Sequence, residues 1–210
     1  MAQQDDLFAP PADACPPGLC VMRGVTSLTE WLCAIDELAA RAPWRRWQVP
    51  GGGIMSVEST NAGTVGWSSD LKGYRYADCD PLSGRPWPPI PAALLELASK
   101  CASQAGYPGF IPDSCLVNRY WPGARMGTHR DADELDFTQP IVSVSLGLPA
   151  TFVWYGAQRG GRGLPLALKD GDVVVFGGEA RRGYHQVRTV RRAVGGDAGY
   201  RINLTFRKAR

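Results

Sequence analysis

Ile141-Val142-Ser143-Val144-Ser145-Leu146-Gly147-Leu148, followed by Thr151-Phe152-Val153-Trp154-Tyr155 and, after the turn Lys169-Asp170-Gly171-Asp172, by Val173-Val174-Val175-Phe176, is the stretch that decides the fold. Each run is short, rich in β-branched or aromatic residues and bounded by Gly, Pro or Asp, the pattern of strands joined by tight turns. Cys115–Tyr120, Leu164–Leu168, Tyr184–Val190 and Arg201–Arg207 read the same way. Many short strands with regularly spaced turns predict a sandwich or barrel with helices packed outside it.

Two helices precede these strands. Ser27-Leu28-Thr29-Glu30 has capping-box spacing, and Leu28, Trp31, Leu32, Ile35 and Leu38 recur at helical intervals until Pro43. Pro91 opens a second helix through Ala93, Leu94, Leu97, Ala98 and Cys101, and Gly106 closes it. Residues 1–20, rich in Pro, Ala and Asp, are expected as a flexible arm, and residues 21–210 as one α+β, mainly β domain. Within it, about 115–207 forms the β core. About 44–90 holds Gly51-Gly52-Gly53, Trp44, Trp47, Trp67, Tyr74, Tyr76 and Trp87, and reads as short strands joined by mobile loops.

The 210 residues, 44% hydrophobic and 20% charged, exclude wholesale disorder. No apolar run reaches membrane-spanning length, and the acidic start Met1-Ala2-Gln3-Gln4-Asp5-Asp6 lacks a basic leader region, so a soluble, cytoplasmic protein is expected. The six cysteines show no C-x-x-C pair, and apolar neighbours such as Trp31-Leu32-Cys33 suggest buried, reduced thiols. No assembly segment is evident, so a monomer is expected. Net charge is only +3, yet Arg181 to Arg210 holds nine Arg or Lys against Asp197 alone. That basic C-terminal segment suits an anionic partner, nucleic acid or a small carboxylate, or is a solvated surface.

The chain has two histidines, His129 and His185. His129-Arg130-Asp131 places an imidazole and a carboxylate at i and i+2, on one face if the segment is extended. His185 stands in a strand 54 residues beyond Asp131, where a closed sheet can bring it alongside. Two histidines and a carboxylate form the facial triad of non-haem Fe(II) oxygenases, although the same donors also bind Zn²⁺ in hydrolases. Further on, alternation puts Arg201, Asn203, Thr205 and Arg207 on one strand face, opposite Leu204 and Phe206. That face reads either as an anion site, whose guanidinium forks fit a dicarboxylate, or as a solvated strand edge. Asn118 and Tyr120, also i and i+2, can add donors from another strand.

His129-Arg130-Asp131, His185 and Arg201-Ile202-Asn203-Leu204-Thr205-Phe206-Arg207 together resemble the AlkB family of Fe(II)/2-oxoglutarate dioxygenases. Gly66-Trp67, Gly73-Tyr74-Arg75-Tyr76, Pro112 to Tyr120, Ile141 to Pro149, Gly171-Asp172-Val173-Val174-Val175 and Gly177-Gly178-Glu179 extend the resemblance over about residues 20–207. The resemblance implies a double-stranded β-helix (jelly-roll) core, with residues 44–90 as a nucleotide-recognition lid. It implies Fe(II) held by His129, Asp131 and His185. It further implies 2-oxoglutarate held by Arg201 at its far carboxylate and by Arg207 near the metal, with Asn118, Tyr120 and Asn203 completing the pocket. Trp67 and His129 would sandwich the damaged base, Tyr74 and Tyr76 contact the nucleotide, Asp133 read the exocyclic nitrogen, and Arg159 touch the base.

The implied reaction is oxidative demethylation of bases such as 1-methyladenine and 3-methylcytosine in single- or double-stranded DNA, with RNA as a further partner. Formaldehyde, succinate and CO₂ are released. Methylation at these nitrogens makes the ring cationic, which favours an aromatic face and a nearby carboxylate, and Asp133 and Glu134 follow the metal motif directly. The competing readings are a related dioxygenase acting on RNA, protein or a small molecule, a non-catalytic binding barrel, and a Zn²⁺ hydrolase. Taken without the resemblance, Trp67, Tyr74 and Tyr76 are ordinary packing aromatics.

Overall fold

The computed structural model describes residues 15–192 and 199–210. Its elements are β1 (Leu19–Met22), α1 (Leu28–Arg41), β2 (Glu58–Gly63), β3 (Gly66–Asp70), β4 (Gly73–Ala77), α2 (Ala92–Gln104), β5 (Ser114–Tyr120), β6 (Met126–His129), β7 (Ile141–Gly147), β8 (Ala150–Gly156), β9 (Leu164–Leu168), β10 (Val173–Phe176), β11 (Tyr184–Val187) and β12 (Arg201–Arg207). They form a six-stranded sheet in the order β1-β10-β7-β12-β5-β2, a four-stranded sheet β6-β11-β8-β9, and the separate hairpin β3-β4.

Alternation along β12 explains how the layers stack. The strand lies between β7 and β5, and all seven of its residues are buried. Ile202, Leu204 and Phe206 pack with Ile35 and Leu38 of α1 and with Leu94 and Ala98 of α2. Arg201, Asn203, Thr205 and Arg207 line a cleft on the other face. A second core joins the two sheets: Tyr120, Ile141, Val174 and Phe176 meet Phe152, Trp154, Leu166 and Val187. This is the jelly roll with outer helices that the strand pattern predicts. It also removes the solvated-edge reading of β12, because the strand is central in its sheet and its polar face lines an internal cleft rather than open solvent.

Several boundaries differ from expectation. Leu19 and Cys20, placed in the arm, pair with Phe176 and Val175 at the sheet edge, while the arm up to residue 14 lies outside the described residues. Residues 58–63, assigned to the lid, instead form β2 and pair with β5 in the main sheet. Their polar sequence conceals a buried strand because its side chains are satisfied internally. Ser59 Oγ donates to Asn118 Oδ1 at 2.8 Å, and Thr60 Oγ1 to the Ala42 carbonyl at 2.5 Å. The strand expected to reach Val190 ends at Val187.

The Ser27–Glu30 box does not close, since Ser27 makes no side-chain cap bond. Thr26 Oγ1 bonds Glu30 instead, and Asp170 Oδ1 accepts the Leu28 N–H at 2.9 Å from the β9–β10 turn. The same oxygen accepts the Gly147 N–H at 2.7 Å, so one carboxylate ties α1, β7 and the turn together. Gly171 turns there at φ +81°, and a Cβ would run into the Thr26 carbonyl. Trp31, Ile35 and Leu38 form the buried face of α1, which leaves Leu32 and Cys33 exposed rather than buried. All six cysteines are free thiols. Among the described residues no helix is long and apolar enough to cross a membrane.

Candidate active site

Strand pairing assembles a group that could hold a metal ion. His185 on β11 lies opposite His129 on β6, and Asp131 follows just beyond the β6 end. The ligand atoms of His129, Asp131 and His185 all lie within 4.8 Å of one another. Nδ1 of His129 is 2.8 Å from the Gly127 carbonyl, and Nδ1 of His185 is 3.0 Å from the Gly183 carbonyl. A carbonyl only accepts, so these contacts place the proton on Nδ1 and leave each Nε2 lone pair for a metal. The His185 ring is held by Phe152 and Trp154, with centroids at 5.3 and 6.3 Å. Burial, then the His129 charge, pushes the His185 pKa down to about 4, which keeps its imidazole neutral. Burial of Asp131 opposes its ionisation, yet the charge of Arg207, with that of Arg181, outweighs it and holds the carboxyl well below its usual range.

Beneath the triad lie two cations with unused donors. Arg201, 1% exposed, donates from NH2 to Ser145 Oγ at 3.0 Å, while its Nε and NH1 have no partner. Arg207 donates from NH2 to Asp131 Oδ1 at 3.0 Å, and its NH1 is unpartnered. Its Nε lies 3.3 Å from Glu134 Oε1, a charge contact not aligned as a hydrogen bond. A desolvated guanidinium with free donors is costly unless an anion completes it. Asn203 Nδ2 donates to Ser143 Oγ at 2.8 Å, and burial pushes the Tyr120 phenol up to about 12, so it stays a donor. Ser143 and Ser145 were not singled out from the sequence, although their polar i, i+2 spacing in the apolar Ile141–Leu148 run signals the cleft face.

A cleft of about 610 Å³ covers the triad, and every residue expected at the site lines it, from Asn118, Tyr120 and the β12 residues to Arg159. The β3–β4 hairpin forms part of its rim. Trp67 stacks on Tyr74 with ring centroids 5.5 Å apart and planes 18° from parallel, and its Nε1 donates to Asp133 Oδ2 at 2.9 Å. Tyr76 turns its hydroxyl inward to Glu134 Oε1 at 2.7 Å. Glu134 is therefore internal, paired with Arg181 at 3.1 Å, and does not compete with exposed Asp133 for a ligand. The basic C-terminal segment also needs correction as a surface. Arg181, Arg201 and Arg207 are buried, and Asp197 lies outside the described residues.

The comparisons agree with this geometry. The family model described as the 2OG-Fe(II) oxygenase superfamily matches residues 18–207. The alpha-ketoglutarate-dependent dioxygenase AlkB of Escherichia coli (strain K12) is 45% identical over 182 residues, 83% of this chain and 82% of that protein. The protein of the same name from Salmonella typhimurium is 42% identical over 210 residues, 97% of each chain. The solved structure of OsALKBH1 superposes with a TM-score of 0.78 over 92% of this chain and 99% of that one, at 24% identity, which shows a shared fold.

The fold and the donor set define an Fe(II)- and 2-oxoglutarate-dependent dioxygenase. The chain belongs to the 2OG-Fe(II) oxygenase superfamily and, within it, to the AlkB family. The residues present fit the two cofactors. Three hard or borderline ligands converge on one point, and the unpartnered Arg201 and Arg207 donors suit the two ends of a dicarboxylate. A Zn²⁺ hydrolase has no use for such a buried anion site, and a non-catalytic barrel has no use for either.

Proposed function

We propose that this dioxygenase removes methyl groups from N-alkylated bases such as 1-methyladenine and 3-methylcytosine in DNA, as direct reversal of damage. The observation that carries the reading is the Trp67–Asp133 pair at the rim of a cleft whose floor holds the triad. A methylated, cationic ring gains from an aromatic face and an adjacent carboxylate, and an ordinary neutral base gains far less. Tyr74 stacks on one face of the indole; the other face would take the base, with His129, which lines the same cleft, as the second wall. Methylation of these nitrogens also blocks pairing, which lowers the cost of turning the base out of a duplex.

His129, Asp131 and His185 would hold Fe(II), and Arg201, Arg207, Asn118, Tyr120 and Asn203 would seat 2-oxoglutarate. When bound, the two supply the oxidising power of O₂, with 2-oxoglutarate leaving as succinate and CO₂. The chain's own part is placement. Arg207 holds Asp131 ionised and aimed, the Nδ1 contacts fix both imidazoles, and Trp67 with Asp133 orients the ring so that its methyl group faces the metal. Hydroxylation of that methyl gives a hemiaminal that releases formaldehyde and restores the base.

Mass spectrometry of reacted polymers tests the substrate class. Single-stranded DNA, RNA, a methyl-lysine peptide and free 1-methyladenosine are offered in parallel. Loss of one methyl from the DNA at the highest rate supports the reading. Faster loss from RNA, peptide or nucleoside overturns the DNA assignment while keeping the dioxygenase.

A further inference from the structure

We propose that Glu134 is a positioning residue that couples the β3–β4 hairpin to the metal ligand Asp131, so that a nucleotide seated on the hairpin is felt at the metal. The proposal rests on the dealkylase reading for what occupies the hairpin and on geometry for the rest. Tyr76 pairs with Trp67 across β3 and β4, and each turns a polar atom toward the segment that follows Asp131. Trp67 Nε1 donates to Asp133, and Tyr76 Oη donates to Glu134. Burial raises the Tyr76 pKa well above its ordinary value, which keeps that hydroxyl a donor.

From Glu134 two routes lead to the same ligand. Its Oε1 lies 3.3 Å from Arg207 Nε, and Arg207 NH2 donates to Asp131 Oδ1 at 3.0 Å. Its Oε2 accepts from Arg181 NH2 at 3.1 Å, and Arg181 NH1 donates to the Asp131 carbonyl at 3.2 Å. Arg181 Nε also holds the Gln139 carbonyl at 2.9 Å, and its guanidinium lies over Phe137 at 5.2 Å. Both ends of Asp131, carboxylate and backbone, thus depend on one carboxylate that the hairpin also grips. Glu134 and Arg181 side chains are each 2% exposed.

Stability alone does not account for this cluster. A buried ion pair gains little over well-packed apolar side chains of equal size, because desolvation offsets the attraction. Fixing an orientation is what such a pair does better. Hydrogen-bond donors reach Glu134 from β4 and from the 3-10 turn Gly178–Arg182, and the β12 guanidinium of Arg207 adds a charge contact, so a shift of any one changes the interactions of the others.

Co(II) replaces Fe(II) as the probe, because its visible spectrum reports ligand geometry without turnover. Glu134→Gln, close to isosteric and checked for folding by circular dichroism, is expected to weaken Co(II) binding by about 10- to 100-fold, the usual effect of removing a supporting contact. Tyr76→Phe is expected to keep Co(II) affinity within about twofold. The spectral shift that a 1-methyladenine oligonucleotide causes in the wild type is expected to disappear in that variant. If Glu134→Gln fails to fold, Arg181→Lys gives the same affinity test, with partial weakening expected. Co(II) affinity unchanged in the Glu134 or Arg181 variant, or a full spectral shift in Tyr76→Phe, overturns the proposal. If fluorescence anisotropy shows that wild-type protein ignores the oligonucleotide, the dealkylase reading fails, and the affinity arm still decides the role of Glu134.

Discussion

His185 faces His129 directly across the β11–β6 pair, their ring centroids 4.4 Å apart, so antiparallel register rather than loop closure brings the two imidazoles together. Replacing His185 by Ala removes one of the three side chains that would hold the metal. Co(II) titration is expected to show a loss of affinity greater than the 10- to 100-fold typical of a supporting residue. Affinity within a few-fold of the wild type would rule out the triad as the metal site.

The same histidine sets an acid limit for the metal-free protein. Its pKa, pushed down to about 4, compares with about 6.5 in an unfolded chain. Between these values the unfolded chain binds a proton that the native state does not, so stability falls as pH falls. The contribution is full above about pH 6.5 and lost progressively toward pH 4, with an upper size of roughly 3 kcal/mol. Calorimetry is expected to give a lower Tm at pH 5 than at pH 7, and His185→Gln is expected to flatten that slope. An unchanged slope in the variant contradicts the assignment.

If Arg201 seats 2-oxoglutarate as proposed, it trades stability for cosubstrate binding. Its Nε and NH1 are buried without partners, so Arg201→Met is expected to stabilise the ligand-free fold by about 1–3 kcal/mol, as removal of an uncompensated charge does. The KM for 2-oxoglutarate is expected to rise on the order of 10- to 100-fold, the value of a charge-assisted pair. Urea unfolding and succinate assays read the two effects. A destabilised variant with unchanged KM would make Arg201 structural only.

Much of this was legible in the chain, and the exceptions share a cause. His129, Asp131, His185 and the polar face of β12 are visible because period-two alternation separates cleft-facing from core-facing residues. β2 escaped because Ser59, Thr60 and Asn61 are polar yet buried, satisfied by Asn118, the Ala42 carbonyl and Trp67. Arg181 looked like part of a basic surface, because charge counting carries no information on burial, and only the fold brings it to Glu134. The capping box failed for a related reason. Asp170 approaches from 142 residues away, which no local motif encodes.

Trp67 separates recognition from oxidation. Trp67→Ala is expected to raise the KM for a methylated oligonucleotide by about 10- to 100-fold, the worth of one base–aromatic stack, while the KM for 2-oxoglutarate stays within twofold. Steady-state kinetics with each substrate varied in turn give both values. Equal effects on both would mean that the indole supports the fold rather than the base.

If the proposed function holds, 2-oxoglutarate turnover in this cleft is coupled to removal of a base methyl group. The direct measurement loads the protein with Fe(II), 2-oxoglutarate and a single-stranded 1-methyladenine oligonucleotide without oxygen, then admits O₂ and follows succinate and formaldehyde together. Both are expected to rise in equal amounts, unmethylated DNA to yield little of either, and Asp131→Ala to yield neither. Folded, iron-loaded protein that forms succinate without formaldehyde, or neither product, would contradict it.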